Sequence, residues 1–569
     1  MRRIAIFAVT ALCGALAGCA SADPADLRAD RSGQAYGAFL AAQHAERTSQ
    51  IAESSSYYRT ALELAPDDPL LLERAFLAAM RGGDFDEAAR LAERALGAPS
   101  TDRLARVVLA SRAVKEGRPR RAVTMLEDVD LGPFNRVVGS LVLAWAYADL
   151  GDTDAALDAL DPPRDAQILG HLMTLHRAMI LERAGRDEQA DDAYREAYES
   201  GLIRPVVVAA YGARLEREGR TAEAMGLYTR HLNDFPDDQV AIDALARIAQ
   251  GGRAEAFAAS PAKAASLAVY GPAATLASNA PSDLALIYLR LAVYLDPENG
   301  LARQHLGFLL DQLMYQPDEA VRVYDAAPDS STYLTQIRIA EASTLLRLGR
   351  EEQALSVLTE LDTGAEDWRA SSALADLYSS LERFEDAGRI YRQLIDASEA
   401  EDGAAAWELY FSYAVTLERR DRWDEAEEYF QRALEIEPDQ AQVLNYLGYS
   451  WVDRGEHLEE AFELIRRAVE LEPNSGYIVD SLGWAHYRLG EFDEAVRHLE
   501  RAVELDPQDP TLNDHLGDAY WRVGRRLEAS YQWRRSLTLD PDEELAAALA
   551  DKLDAGLPPV VDEPMIASP

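Results

Sequence analysis

Cysteine and lysine are nearly absent from this sequence. Its 569 residues include two cysteines, Cys13 and Cys19, which excludes a fold held together by a framework of disulfides. The 48% content of hydrophobic residues can supply the buried core that a chain of this size then needs. Lysine occurs three times, at Lys115, Lys263 and Lys552, so arginine carries almost all of the positive charge.

Positive charge is also scarce compared with negative charge. The chain has 57 basic and 98 acidic residues, and its formal net charge is −41. Such an excess of acid repels phosphate backbones, which excludes nucleic acid as a partner. Two interpretations of the acids stay open. They lie on solvated helix faces and keep a long molecule soluble, or they attract a partner with basic residues.

Sequence motifs of catalysis are missing as well. We find no GxGxxG, no P-loop, no GxSxG, no HExxH and no pair of neighbouring cysteines. The nine histidines are scattered along the chain, and His486 falls where the repeat described next requires a core residue. The sequence therefore predicts a protein that is not an enzyme and that has neither a metal site nor a cofactor.

What the sequence does contain is a repeat, which is clearest between Leu444 and Pro541. Three segments place apolar, small and turn residues in the same order, 34 or 35 residues apart. The three series are Leu444, Leu447, Gly448, Trp451, Gly455, Ala461, Ile465, Ala468 and Pro473; Val479, Leu482, Gly483, His486, Gly490, Ala495, Leu499, Ala502 and Pro507; and Leu516, Gly517, Tyr520, Gly524, Ala529, Trp533, Ser536 and Pro541.

Each segment reads as a helix, a turn and a second helix. The apolar spacing marks one buried stripe on the first helix, and the small residue in its middle lets the second helix approach closely. Helices of this length are marginal alone in water, so each pair must stack on the next. These residues resemble the tetratricopeptide repeat (TPR) family. The resemblance implies an all-α fold, a superhelical solenoid of roughly 13–14 helix-turn-helix repeats.

The same spacing continues through the rest of the chain in weaker form. The positions equivalent to Gly448 are Ala42, Phe76, Ala110, Ala144, Ala178, Gly212, Ala273, Gly307, Ala342, Ala375 and Ala414. Residues 237–282 lose the phase and are rich in Ala, Gly and Ser, which indicates either decayed repeats or a hinge. The predicted divisions are N-terminal repeats 35–236, a degenerate helical region or hinge 237–282, central repeats 283–403, strong C-terminal repeats 404–541, a capping helix 542–556 and a disordered tail 557–569.

Residues 1–18 are typical of a secretion signal. Arg2 and Arg3 precede an apolar run over residues 4–15 that is too short to span a bilayer as a stable anchor. A signal of this kind predicts export from the cytoplasm. An interfacial helix is the alternative for this stretch.

The residues around Cys19 refine that prediction. The tetrad Leu-Ala-Gly-Cys that ends at Cys19 resembles a bacterial lipobox. The resemblance implies cleavage before Cys19 and a lipid anchor on that cysteine. Ala20 in the next position resembles lipoproteins of the outer membrane, which implies a location in the cell envelope facing the periplasm. A plain signal peptide stays open as an alternative. Residues 19–34 are polar and predict a flexible spacer.

The first helices of the strong repeats carry the candidate binding residues. In tetratricopeptide repeats these helices line a concave groove, and the resemblance places a set of aromatic and polar side chains on its surface. The predicted partner-binding residues are Asn445, Tyr449, Asp480, Trp484, Tyr487, Arg488, Asp514, Asp518, Trp521 and Arg522. Exposed rings among polar groups are typical of protein recognition. The alternative is that these rings pack between neighbouring helices.

The strong repeats also suggest a function. The stretches LNYLGYSWVDRG, DSLGWAHYRLGEFDEAV and NDHLGDAYWRVGRR resemble adaptor lipoproteins that recruit a periplasmic carboxyl-terminal processing protease to its substrates. We therefore expect a non-enzymatic scaffold or adaptor that binds a protein partner with basic residues and is tethered to the membrane by its lipid. A structural or assembly lipoprotein of an outer-membrane or secretion complex is the alternative, and a homo-oligomer is left open.

Overall fold

A computed structural model describes most of the chain. The described residues are 24–48, 50–98, 101–161, 167–201, 204–236, 238–277, 282–361, 368–400 and 406–558. The predicted signal peptide 1–18, the predicted lipid-anchor Cys19 and residues 559–569 of the predicted tail lie outside these residues. The chain divides into two compact units, an N-terminal unit that ends at Ala354 and a C-terminal unit that begins at Leu355.

The described residues form thirty α-helices and one π-helical segment, with no strand among them. In the N-terminal unit the helices are α1 Pro24–Arg47, α2 Ile51–Leu64, α3 Pro69–Gly82, α4 Phe85–Ala95, α5 Asp102–Lys115, α6 Pro119–Leu126, α7 Pro133–Asp149, α8 Thr153–Ala159, α9 Gln167–Arg183, α10 Asp187–Glu199, α11 Arg204–Arg217, α12 Thr221–Asp234, α13 Gln239–Ala249, α14 Pro261–Ala277, α15 Asp283–Leu295, α16 Gly300–Phe308 with the π-helical segment Leu309–Leu313, α17 Pro317–Asp325 and α18 Leu334–Arg347.

Helix α19, Glu351–Leu361, spans the division between the units. The C-terminal unit continues with α20 Trp368–Ser380, α21 Phe384–Ala400, α22 Trp407–Glu418, α23 Trp423–Ile436, α24 Ala441–Arg454, α25 Leu458–Leu471, α26 Gly476–Arg488, α27 Phe492–Leu505, α28 Pro510–Arg522, α29 Arg526–Leu537 and α30 Glu543–Ala555.

Consecutive helices pack as pairs, which confirms the predicted all-α solenoid. The packed pairs are α1/α2, α3/α4, α5/α6, α7/α8, α9/α10, α11/α12, α14/α15, α16/α17, α20/α21, α22/α23, α24/α25, α26/α27 and α28/α29. Helices α18 and α19 continue the same alternation along the chain. Of the fourteen positions that the sequence places in one phase, Gly448 included, thirteen lie on the first helix of such a pair, and Ala342 lies on α18. The count of fourteen first helices agrees with the predicted 13–14 repeats.

Glycine explains how closely the helices of a pair approach. A Cβ atom at Gly483 would lie 2.6 Å from the Leu499 side chain, and one at Gly517 would lie 2.5 Å from the Trp533 ring. Both distances are too short for any side chain, so these two positions require glycine for packing. Gly455 has a different role, since it ends α24 with a φ of 73° that favours glycine.

The structure differs from the sequence prediction at the N-terminus. Residues 19–34 are predicted to be a flexible spacer, but α1 begins at Pro24 and continues to Arg47. The physical reason is local, because residues 24–34 include several good helix formers such as alanine, leucine and arginine. The described part of the predicted spacer, residues 24–34, is therefore helical.

Residues 237–282 contain α13 and α14 rather than an irregular hinge. Most side chains of α14 are buried, although the helix includes Pro272, and α14 packs against α5, α7, α9 and α15. The boundary between the two compact units lies elsewhere, at Ala354 and Leu355. Residues 238–277 and 282 therefore lie inside the N-terminal unit and away from this division.

Candidate functional site

In the N-terminal unit, one face of the first helices α3, α5 and α7 is covered by other helices of the same unit. Helices α14 and α15 pack across α3, α5 and α7. The Tyr288 hydroxyl donates a hydrogen bond to Asn135 Oδ1 at 2.6 Å, and the rings of Phe85 and Tyr294 stack at 4.9 Å. The Lys115 ammonium lies 4.1 Å from the centre of the Tyr294 ring. These contacts leave little of that face available to a partner.

At the end of the C-terminal unit the same kind of face is covered by α30. The Lys552 ammonium donates hydrogen bonds to both oxygens of Asp514 at 2.7 Å and to Asp518 Oδ2 at 2.9 Å. The backbone at Gly556 lies against the Trp521 ring, because a Cβ at that position would overlap it. Asp514, Asp518 and Trp521 therefore contact the capping helix and the residue that follows it.

Arg522 is also engaged within the chain. It donates one hydrogen bond to the carbonyl of Pro558 at 2.6 Å and another to the Tyr487 hydroxyl at 3.1 Å. Tyr487 itself is buried. Four of the predicted binding residues, Asp514, Asp518, Trp521 and Arg522, are thus held against α30 or the residues just beyond it.

The predicted aromatic residues of α26 form a stack. The ring of Trp484 is parallel to that of Tyr487 at 4.6 Å and to that of His515 at 4.0 Å. Trp484 is half-buried and Tyr487 is buried. This packing between α26 and α28 corresponds to the alternative that the sequence left open, in which the rings pack between helices.

The described residues of the C-terminal unit form an open groove. It has a volume of about 480 Å³ and lies across α22, α24, α26 and α28. We call it the Asp480 groove. The lining residues that matter below are Glu418, Asn445, Tyr449, Asp453, Asp480, Asp509 and His515. Three of the predicted binding residues, Asn445, Tyr449 and Asp480, therefore come together in this groove.

Two acceptor atoms of the groove lack partners. Asp480 is 5% exposed and Asn445 is 7% exposed. Asp480 Oδ2 accepts a hydrogen bond from His515 Nδ1 at 2.8 Å, but Asp480 Oδ1 and Asn445 Oδ1 are buried without a hydrogen bond from any described residue. A buried acceptor without a donor costs free energy. Both residues line the groove, which is large enough for a donor group to enter.

The edge of the groove carries charges of both signs. Arg488 donates a hydrogen bond to Asp453 Oδ1 at 2.8 Å, so the predicted residue Arg488 is paired with an acid of the lining. Arg419 and Arg454 also line the groove, but Arg419 lies 3.8 Å from Glu418 and Arg454 lies over the Trp423 ring. The arginines at the edge are thus turned towards partners of their own.

The negative charge of the groove perturbs its titratable groups. Burial alone lowers the pKa of His515, but the charge and hydrogen bond of Asp480, together with Asp514 and Asp518, raise the pKa above its ordinary value. Burial and the nearby charges of Asp480 and Asp453 raise the pKa of Tyr449 to about 12. His515 is therefore favoured as a cation and Tyr449 as a neutral phenol.

Burial and neighbouring charges also shift the pKa values where Lys552 of α30 contacts Asp514 and Asp518. Burial and repulsion from Asp514 raise the pKa of Asp518 despite the neighbouring ammonium. Burial lowers the pKa of Lys552, but the charges of Asp518 and Asp514 outweigh it, and the net pKa is raised. One lysine thus neutralises two buried carboxylates that repel each other.

Sequence reasoning missed two residues of this region. His515 binds Asp480 and lines the groove, and Lys552 reaches back from α30 to α28. The scarcity of lysine was a usable signal for Lys552, because it is the last of three lysines and stands in the predicted cap. His515 follows Asp514 directly, but no repeat pattern assigned it a role.

The described residues show no sign of two other kinds of site. No group of three or more histidine, cysteine, aspartate or glutamate side chains within the described ranges could hold a metal ion. In the same part of the chain, none of the helices combines the length and the apolar character that crossing a bilayer requires.

Comparison with known sequence families identifies the repeats. Profiles described as TPR repeat or tetratricopeptide repeat match residues 39–103, 137–162, 372–441, 414–476 and 483–524. The chain therefore contains tetratricopeptide repeats. A search of curated proteins returned no match.

Three of the solved structures that match this chain cover different shares of it. The APC/C hetero-tetramer Cut9–Hcn1 has 17% identity and a TM-score of 0.38, with 84% of this chain and 94% of that chain covered. A tetratricopeptide repeat protein from Parabacteroides merdae has 14% identity and a TM-score of 0.37, with 44% and 96% covered. YrrB, described as a TPR protein with an unusual peptide-binding site, has 22% identity and a TM-score of 0.26, with 35% and 98% covered.

Proposed function

We propose that this protein is a non-enzymatic scaffold that binds a protein partner through the Asp480 groove. The observation that carries the proposal is a contrast within the chain. The first helices α3, α5 and α7 are covered by α14 and α15, and α28 is covered by α30. The Asp480 groove of the C-terminal unit, in contrast, has an open volume of about 480 Å³ and two buried acceptors without donors among the described residues. Concave surfaces of stacked repeats are suited to binding extended partners.

We further propose that Cys19 tethers the scaffold to the bacterial cell envelope. The support is the tetrad that ends at Cys19 and the apolar run before it. In this arrangement the protein faces the periplasm from the outer membrane, and its repeats recruit a periplasmic protease to its substrates. The resemblance of the strong repeats to adaptor lipoproteins supports this role. The alternative role, a structural or assembly lipoprotein of an outer-membrane or secretion complex, uses the same groove for a different partner.

Two experiments test the two parts of this proposal. Mass spectrometry of the N-terminal peptide should find a lipid on Cys19, and Cys19→Ser should leave an unprocessed or soluble protein. An unmodified cysteine, or cleavage at another position, would overturn the anchor.

The partner is tested with the intact protein in envelope extracts. Affinity purification of the full chain should return a protein whose recovery falls with Tyr449→Ala, a change in the groove, and is unchanged with Tyr531→Ala, an exposed tyrosine on the second helix α29. Recovery of a periplasmic protease would support the adaptor role, and recovery of an assembly complex would support the alternative. Equal recovery with both variants would contradict binding through the groove.

A further inference from the structure

The Asp480 groove and the contact between Asp514 and Lys552 use equivalent positions of successive repeats. Asn445, Asp480 and Asp514 occupy the same place on α24, α26 and α28, three residues before the glycine that packs against the second helix. The chain fills the last of these places itself, because the Lys552 ammonium lies 2.7 Å from both carboxylate oxygens of Asp514. The protein thus contains its own example of a cation bound on the inward face of a first helix.

The equivalent position one repeat earlier, on α26, is also an aspartate, Asp480, but Lys552 contacts Asp514 rather than this residue. Asp480 is buried, and one of its oxygens accepts from His515 while the other has no donor. Asn445, one repeat earlier, adds a second buried acceptor without a donor. Carboxylate and amide oxygens are acceptors, so the group that would satisfy both atoms is a donor, and the carboxylate favours a donor with positive charge.

We propose that the Asp480 groove binds a lysine or arginine side chain of a protein segment, and that Asp480 and Asn445 hold its cation. This inference rests on the proposed protein-binding function and adds the chemistry of the partner. The cation would enter beside Tyr449, with the carboxylates of Glu418, Asp453 and Asp509 around the opening. The two arginines of the lining do not compete for Asp480, because they contact Glu418 and the Trp423 ring.

The expected selectivity follows from the same geometry. An acidic segment would place its carboxylate next to Asp480 and leave the two acceptors without donors, which disfavours it. An apolar segment would bury the carboxylates of the groove further and would supply no donor to the two acceptors. A basic segment is the class that pairs the charge and satisfies the acceptors together, and its binding should weaken as salt rises.

The test uses the purified full chain and an array of random-sequence peptides. We expect the bound peptides to be enriched in lysine or arginine at one position. The affinity of a selected peptide, measured by fluorescence polarisation, should fall about tenfold or more when that basic residue becomes glutamine, as expected for loss of a charged hydrogen bond. Asp480→Asn, which retains an acceptor for His515, should cause a similar loss.

Two further variants control the measurement. Glu428→Gln, an exposed position of the second helix α23, removes the same charge outside the groove and should leave the affinity unchanged. Asn445→Asp gives α24 the acid that α26 and α28 already have, and should strengthen binding of basic peptides. It keeps the proposal testable even if Asp480→Asn fails to fold.

The outcomes distinguish a failure of this inference from a failure of the proposed protein-binding function. Peptides that bind through the groove, with affinity lost in Tyr449→Ala, but without a basic preference would overturn the inference and leave the proposed function standing. An unchanged affinity in both Asp480→Asn and Asn445→Asp would also overturn it. If no bound peptide depends on Tyr449 at all, the inference and the proposed function fail together.

Discussion

The contact between Lys552 and α28 allows a quantitative prediction. The side chain of Lys552 is 17% exposed, and those of Asp514 and Asp518 are 9% and 7% exposed. Lys552→Met keeps the length and apolar stem of the side chain but leaves two buried carboxylates without a cation. Removing one partner of a buried ion pair costs about 3–5 kcal/mol. Because Lys552 keeps some contact with solvent, we expect the lower end of this range, about 3 kcal/mol.

Hydrogen exchange of the full chain measures this loss locally. A loss of about 3 kcal/mol corresponds to amide exchange in α28 and α30 that is more than about a hundredfold faster. Stability in stacked repeats is local, so amides of the N-terminal unit should not change. Lys263→Met is the matched control, since that lysine is 39% exposed and lies 3.6 Å from Glu298. A surface pair of this kind contributes less than about 1 kcal/mol.

Two observations complete the test of the Lys552 contact. The defect of Lys552→Met should shrink as the pH falls, because the pKa of Asp518 is raised and its protonation removes an uncompensated buried charge. Adding Asp514→Asn and Asp518→Asn should restore most of the protection at neutral pH. Unchanged exchange in Lys552→Met would refute the reasoning, since it would mean that the ammonium does not stabilise the buried carboxylates.

Three other predictions concern packing, pH and the aromatic stack. Gly517→Ala should lower the free energy of unfolding by about 1–3 kcal/mol, because its Cβ would overlap Trp533, whereas Gly37→Ala in α1, with no neighbour within 4 Å, should be neutral or slightly stabilising in a thermal melt. Because the pKa of His515 is raised in the folded state, the stability that this contributes is complete below the ordinary pKa of 6.5 and is lost as the pH rises through the raised value. Melting temperatures should therefore fall as the pH rises in this range, and His515→Gln should make the fall less steep. Identical slopes for the two proteins would contradict the assignment. Trp484→Ala together with Trp521→Ala should destabilise α26–α30 in hydrogen exchange, since both rings are packed, and unchanged exchange with lost partner binding would instead show that the rings serve recognition alone.

Local sequence spacing explains how much of the fold was predictable. The distance of 34 or 35 residues between Gly448, Gly483 and Gly517 reflects contacts inside one helix pair, such as that of Gly517 with Trp533. Such contacts join residues close in sequence, so a periodic pattern is sufficient to place each first helix. The cap α30 was predictable for the same reason, from its polar and apolar pattern after Pro541.

Contacts between distant parts of the chain were not predictable in this way. The Tyr288 hydroxyl reaches Asn135, and Lys552 reaches Asp514, but neither contact follows the repeat. The repeat pattern therefore predicted Asp480, Asp514 and Asp518 alike as binding residues, although Lys552 of the same chain pairs with Asp514 and Asp518. The positions of α14 and α15 in the N-terminal unit, and of α30 in the C-terminal unit, show which first helices of each unit are covered.

Site-specific photo-crosslinking tests the central claim most directly. Tyr449, in the Asp480 groove, and Tyr531, on the outer helix α29, would each be replaced by p-benzoylphenylalanine in the full chain, and the adducts formed in envelope extracts would be sequenced. We expect adducts with a protein segment from position 449 but not from position 531, and a lysine or arginine in the attached segment. Adducts from position 531 alone, or adducts at position 449 whose segments lack a basic residue, would contradict the binding of a basic protein segment in this groove.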